Sequence, residues 1–226
     1  MIFNEHSELE GRHAQFSPSK SSWLRYSNDK IVATYVNRHR TELGTEIHEF
    51  INSQIELSQK ATSVRQISHD ISTYIYSKYR EREMIDYGKA LINSLNNIPE
   101  EVFETAKMFI NDAIGFRMRS EVILKYSDNF FGTTDAISFK NNVLKINDFK
   151  SGDLEAHMDQ LIVYAALFCL EYKIKPSEIT IQLRLYQYAK YNEYIASIDD
   201  IVPVMDKIVT SDNLLKKQIE YEENSL

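Results

Sequence analysis

The octapeptide at residues 143–150, VLKINDFK, constrains this chain more than any other stretch. Alternate side chains of an extended strand share a face, so Leu144, Ile146, Asp148 and Lys150 form one row. Leu144 and Ile146 need burial, and the apolar segment at about 154–172 is the natural cover, as a helix. Asp148 and Lys150 then extend an apolar row at the C-terminal end of the strand. Charges there are costly unless they are paired or bind something. The preceding run at 129–139 (NFFGTTDAISF) joins this strand through Lys140-Asn141-Asn142. Asn tolerates the positive φ that a tight hairpin turn requires. Such a hairpin brings Asp135 near Asp148, and two carboxylates held close repel unless a divalent cation lies between them.

The rest of the chain is organised around this hairpin. Ser17-Pro18 reads as an N-cap followed by Pro at the first helical position, opening a short helix through Trp23 to Tyr26. Helical periodicity then predicts helices at about 29–40, 42–58, 64–80, 84–95 and 100–114. A β-rich run at 121–126 precedes the hairpin. The alternating run at 179–188 (ITIQLRLYQY) reads as a further strand, and 199–222 as one or two amphipathic helices. The order predicts an α/β or α+β fold: a mixed sheet of four or more strands with a long packed helix and a large N-terminal helical region. With 226 residues, 6 Gly, 4 Pro and no Ser/Gly-rich linker, the chain reads as one unit. Its parts would be a helical region at about 1–118, a sheet core at about 119–190 and C-terminal helices at about 191–226.

Cys169 is the single cysteine, which excludes a disulfide framework, a Cys-based zinc site and a Cys-ligated iron–sulfur cluster, and fits a reducing compartment. The longest apolar run, 161–170, is far short of the roughly 20 residues of a spanning helix. Residues 1–6 lack a basic and apolar leader pattern, so a cytoplasmic protein without a membrane partner is expected. A net charge of −7 argues against a nucleic-acid partner unless basic residues cluster. They do cluster, in Arg12, His13, Lys20 and Arg25, in Arg38, His39 and Arg40, in Lys78, Arg80 and Arg82, and in Arg117 with Arg119.

Asp135, twelve residues and then Asp148-Phe149-Lys150 resemble the D-x(n)-(D/E)-x-K core of the PD-(D/E)XK nuclease superfamily. The flanks strengthen the resemblance. Phe131-Gly132-Thr133-Thr134-Asp135 is similar to the apolar-G-x-x-D strand of that superfamily, and Leu144 to Gly152 (LKINDFKSG) to its apolar-D-(F/Y)-K-(S/T)-G strand. Gln160 and Tyr164 resemble the Q-x-x-x-Y motif of the RecB-like exonuclease branch, and Gly44-Thr45-Glu46-Ile47-His48 its G-x-x-x-H helix. Ser17-Pro18-Ser19 and Trp23 are similar to small phage and prophage relatives, and lambda exonuclease is a more distant likeness.

The resemblance implies that His48, Asp135 and Asp148 ligate a catalytic Mg²⁺ or Mn²⁺ together with the main-chain carbonyl of Phe149. It implies that Asp135, Asp148 and Lys150 are catalytic, with Lys150 acting on the attacking water and the phosphate. Gln160 and Tyr164 would contact the DNA backbone or support the lysine, and Glu121 is a further acidic candidate. No nucleotide-binding loop is present, so no nucleotide cofactor is expected, and the single cysteine separates the chain from iron–sulfur relatives. The implied activity is a metal-dependent DNA exonuclease in phage replication or recombination, in the host cytoplasm. DNA ends would be its partner, with a single-strand-binding or annealing protein and a homo-oligomer as further expectations. An endonuclease on the same fold, and a catalytically silent DNA-binding or assembly subunit, are the alternatives. The plainer readings are an edge-strand ion pair for Asp148 and Lys150, a core hydrogen bond for Gln160 and Tyr164, and packing for Cys169.

Overall fold

The structure is a computed structural model that describes residues 18–152 and 156–223. After a 3-10 turn at Pro18–Arg25, four helices precede the sheet: α1 (Asn28–Glu56), α2 (Val64–Glu81), α3 (Ile85–Leu95) and α4 (Glu100–Gly115). Ser17, the expected cap, lies outside the described residues. The hydroxyls of Ser27 and Ser63 cap α1 and α2 by accepting the N–H groups of Lys30 and Gln66. Two helices were expected where α1 runs unbroken. The Thr41 hydroxyl donates to the carbonyl of Asn37, and Thr45 to that of Thr41, so both bond back onto the helix instead of ending it.

Each helix buries a stripe at helical spacing. Leu43, Ile47, Phe50 and Ile51 come from α1, and Ile67, Ile71, Ile75 and Tyr79 from α2. Leu91 and Leu95 of α3 and Phe103, Phe109 and Ile110 of α4 complete the set. Together they form one core, which extends onto Ala136, Phe149 and Tyr186 of the sheet.

The sheet has five strands in the order of the chain: β1 (Arg119–Ser127), β2 (Phe130–Lys140), β3 (Val143–Phe149), β4 (Thr180–Gln187) and β5 (Lys190–Ala196). All neighbours are antiparallel except β3 and β4, which are parallel and joined by α5 (Asp159–Tyr172). The turn between β2 and β3 places Asn141 and Asn142 at φ of 53° and 58°, as the hairpin signal predicts. Leu144 and Ile146 of β3 pack with Leu183 and Leu185 of β4 against α5 and the C-terminal helix α6 (Ile198–Glu223), in a second core. Cys169 is buried there, and burial pushes its thiol up to about 11. The fold is therefore the expected mixed α+β sheet with a long packed helix and a large N-terminal helical region, and helices cover both faces.

The sheet extends past the expected boundary near residue 190, because β5 gave no signal. Its side chains are exposed except for half-buried Ala196, so it carries no apolar alternation. Its turn uses Tyr188 and Ala189 at φ of 56° and 53°, where Gly or Asn is the usual marker. Among the described residues no helix is long and apolar enough to cross a membrane.

The helical core has one point of very close approach. A Cβ at Gly88 of α3 would lie 2.7 Å from the Cβ of Tyr79 on α2. Gly88→Ala must therefore push the two helices apart. The expected loss in urea unfolding is about 1–3 kcal/mol, against about 0.5 kcal/mol or less for Lys89→Ala on the exposed face.

Candidate active site

The ladder between β2 and β3 pairs Ile137 with Ile146 and Ala136 with Asn147. One further step along the same register sets Asp135 beside Asp148. Asp148 continues the buried row of Leu144 and Ile146, and its side chain is only 3% exposed. His48 reaches the same place from α1. Its Nδ1 lies 3.5 Å from Asp135 Oδ1, and its ring sits edge-on to that of Phe149 at 5.2 Å. The main chain of Phe149 meets the site through its N–H, which donates to Asp135 Oδ2 at 2.8 Å.

On the α5 side, Lys150 Nζ lies 2.9 Å from Asp148 Oδ2 and donates to Gln160 Oε1 at 2.9 Å. Gln160 Nε2 donates in turn to the Tyr164 hydroxyl at 3.0 Å. The four motifs therefore converge: His48 on Asp135, Asp135 beside Asp148, and Lys150 linked through Gln160 to Tyr164.

Glu121 stands opposite Asp135 in the register of β1 on β2, but the ladder passes from Ser120–Ala136 to Val122–Thr134 and skips that pair. Glu121 is held at φ 51° in the middle of an extended strand. A left-handed non-glycine residue there stores roughly 1–3 kcal/mol of strain. Burial, and then the charge of Asp135, raise its carboxyl pKa.

Burial also pushes Asp148 up to about 6, the charge of Asp135 adds to this, and Lys150 opposes it. Burial works to lower the pKa of His48, but the Asp135 hydrogen bond and the charges of Asp135 and Asp148 outweigh it, and the net shift is upward. The site thus concentrates negative potential where water is largely excluded. Asp148 Oδ2 is buried and accepts no hydrogen bond, although the Lys150 ammonium is close. Among the described residues no three His, Cys, Asp or Glu side chains form a ready-made metal cage. The donor chemistry, two carboxylates and one imidazole facing each other with an unsatisfied buried oxygen, nevertheless fits a hard divalent cation.

Two motif glycines acquire a physical reason. A Cβ on Gly132 would lie 2.8 Å from the ring of Tyr164, and one on Gly44 would lie 3.3 Å from the Ser151 hydroxyl. The first lets α5 bring Tyr164 down onto β2, and the second lets α1 bring His48 up to the end of β3.

Sequence reasoning missed what anchors β3 from behind. Asn147 donates to the Tyr186 hydroxyl, which donates to Asp112 of α4, and Arg184 also reaches Asp112. These partners are far apart in sequence and follow no local pattern.

The basic clusters divide. Lys78 is bound by Glu46 and Glu49 inside the helical layer. Arg80 lines a cavity with Glu83 and Asp86. Arg40 lines a cavity of about 680 Å³ that reaches Gly44 and Ser151, next to Lys150. Arg117 and Arg119 line another, at the β1–β2 edge. Arg12 and His13 lie outside the described residues.

Two outcomes test this geometry. Gly132→Ala should displace Tyr164 and loosen the hold on Lys150. We expect a fold loss of about 1–3 kcal/mol, read by thermal unfolding, and an altered tyrosine environment in near-UV circular dichroism. A carboxyl whose pKa rises on folding stabilises the folded state only while protonated. The contribution of Asp148 is therefore present below the ordinary carboxylate range and is lost as pH rises through about 6. In chelator, the stability gain of Asp148→Asn over wild type should grow from under about 1 kcal/mol at pH 4 to on the order of 3 kcal/mol at pH 7.

No curated protein matches the sequence, and no solved structure matches the chain. Residues 13–219 match the family described as a protein of unknown function, DUF2800, and the chain therefore belongs to that family.

Proposed function

We propose that this protein is a divalent-metal-dependent deoxyribonuclease of the PD-(D/E)XK type, acting from DNA ends. The observation that carries the reading is the placement of the Lys150 ammonium, 2.9 Å from buried Asp148 and 2.9 Å from Gln160, beside the His48–Asp135 contact. A structural ion pair alone gives no reason to bury a second carboxylate and an imidazole at the same strand end, at the cost of their repulsion and desolvation.

Asp135, Asp148 and His48 would hold Mg²⁺ or Mn²⁺, which supplies Lewis-acid activation of water and neutralises charge on the phosphate. The protein's own groups do the rest. The Phe149 N–H fixes one oxygen of Asp135 and leaves the other facing His48. Gln160 takes one hydrogen bond from Lys150, and Tyr164 orients Gln160, so the ammonium is held in one rotamer. From there Lys150 can donate to a phosphate oxygen or align a water for in-line attack. Glu121 stands opposite Asp135 in the strand register, where the two carboxylates raise the local negative charge. The preference for ends rests on the resemblance to the RecB-like exonuclease branch alone, and the same motifs would serve an endonuclease.

The test is one assay on linear and covalently closed DNA, with Mg²⁺, with Mn²⁺ and with chelator. Metal-dependent loss of linear DNA only is expected, falling by about a hundredfold or more in Asp148→Ala and Lys150→Ala. Full activity in Asp148→Ala overturns the site. Cutting of closed circles assigns an endonuclease instead.

A further inference from the structure

The sheet carries a second cavity beside the carboxylates, at the β1–β2 edge. It encloses about 320 Å³. Its apolar side holds three aromatic rings in a row. Phe168 of α5 lies 5.2 Å from Phe139 of β2 and 4.8 Å from Tyr172, centroid to centroid. Phe168 is buried, whereas Phe139 and Tyr172 are 42% and 53% exposed. Its polar side holds Arg117, Arg119 and Lys140, all exposed. No carboxylate lines this cavity, and among the described residues none pairs with these three cations. In a chain of net charge −7 that is a local reversal of sign. The cavities near Arg65 and near Arg80 each include acidic side chains.

Exposed aromatic faces bordered by unpaired cations suit a ligand that is planar, apolar in its ring and anionic beside it. A nucleotide unit has that chemistry: the base stacks and the phosphate meets the guanidinium and ammonium groups. The position agrees. Arg119 pairs with Ile137 in the ladder, and both line the cavity. Glu121 and Asp135 lie two residues further along the same strands, about 7 Å away.

We propose that this cavity binds one unpaired nucleotide of a nucleic-acid strand next to the carboxylate site. The identity of the strand as substrate rests on the nuclease reading above, but binding does not need cleavage.

The experiment therefore measures fluorescence anisotropy of a labelled oligo-dT in chelator, with wild type, Phe139→Ala, Phe139→Tyr and the pair Arg119→Ala with Lys140→Ala. Wild type should bind. Phe139→Ala should weaken binding by about tenfold or more, and Phe139→Tyr should retain it. The double cation variant should weaken binding and flatten its salt dependence. Competition by free dTMP as strong as by oligo-dT assigns the cavity to a free nucleotide and overturns the strand. Tighter binding of an acidic peptide with an aromatic end than of oligo-dT assigns it to a protein partner and overturns the proposal. Unchanged affinity in Phe139→Ala and in the cation pair, with both folded by circular dichroism, also overturns it, as does no binding by wild type. Failure of the nuclease reading shows elsewhere, as no cleavage with metal while these binding effects persist.

Discussion

Asp148 is a carboxylate buried at the end of a row whose other members are Leu144 and Ile146, and the arrangement of this end of the molecule follows from how that charge is accommodated. In a low-dielectric site an unpaired charge costs several kcal/mol, so the fold either neutralises it or surrounds it with partners. The protein does some of both. Lys150 stands two residues on, and burial lifts the carboxyl toward the protonated form. The compensation is incomplete, because Oδ2 meets the ammonium at 2.9 Å as an ion pair without hydrogen-bond geometry, while Lys150 donates to Oδ1 at 3.2 Å. A chain that only had to fold would do better with an apolar residue at this position. The proposed nuclease chemistry gives the unsatisfied oxygen a purpose.

The helical layer and the covering helix both approach this strand end closely at a glycine, Gly132 too closely for a side chain and Gly44 with little room. Gly44 admits Ser151 on one side, and Gly132 admits the Tyr164 ring on the other. His48 and Tyr164 thus reach the same pair of strands from opposite faces of the sheet. Behind them the bonds from Asn147 through Tyr186 to Asp112 tie β3 and β4 to α4. This anchoring holds the backbone that carries Asp148 in place, as the proposed chemistry would need, since small displacements of reacting groups are costly in rate.

Much of this was legible because the informative residues are local. Period-two alternation at 143–150 and the Asn141–Asn142 turn fix which face Asp148 occupies and which residue stands opposite, with no knowledge of the rest. The helices were legible from their apolar stripes, though two were expected where α1 runs unbroken through Thr41 and Thr45, whose hydroxyls bond back onto the helix. Strand β5 was illegible for a physical reason. It is exposed nearly throughout, so hydrophobic alternation has nothing to report, and its turn is made by residues that seldom take a left-handed conformation. The contact of His48 with Asp135 spans two layers. Only the motif resemblance pointed to it, since periodicity does not record which helix lies on which strand. The strain at Glu121 had no sequence signal, because the identity of a residue does not reveal the φ imposed by its neighbours.

Strands β3 and β4 run parallel, so they can pair only after the chain has crossed over through α5. His48, Asp135, Asp148 and Gln160 come from four separate elements, and the contact that brings His48 to Asp135 is long-range. Such contacts form late, after the entropy of closing large loops has been met. The unfolded chain therefore lacks the assembled set of donors, and a cation held by Asp135 and Asp148 would act on the folding equilibrium by mass action. The same strand geometry that isolates the carboxylates would couple occupancy of the site to persistence of the fold.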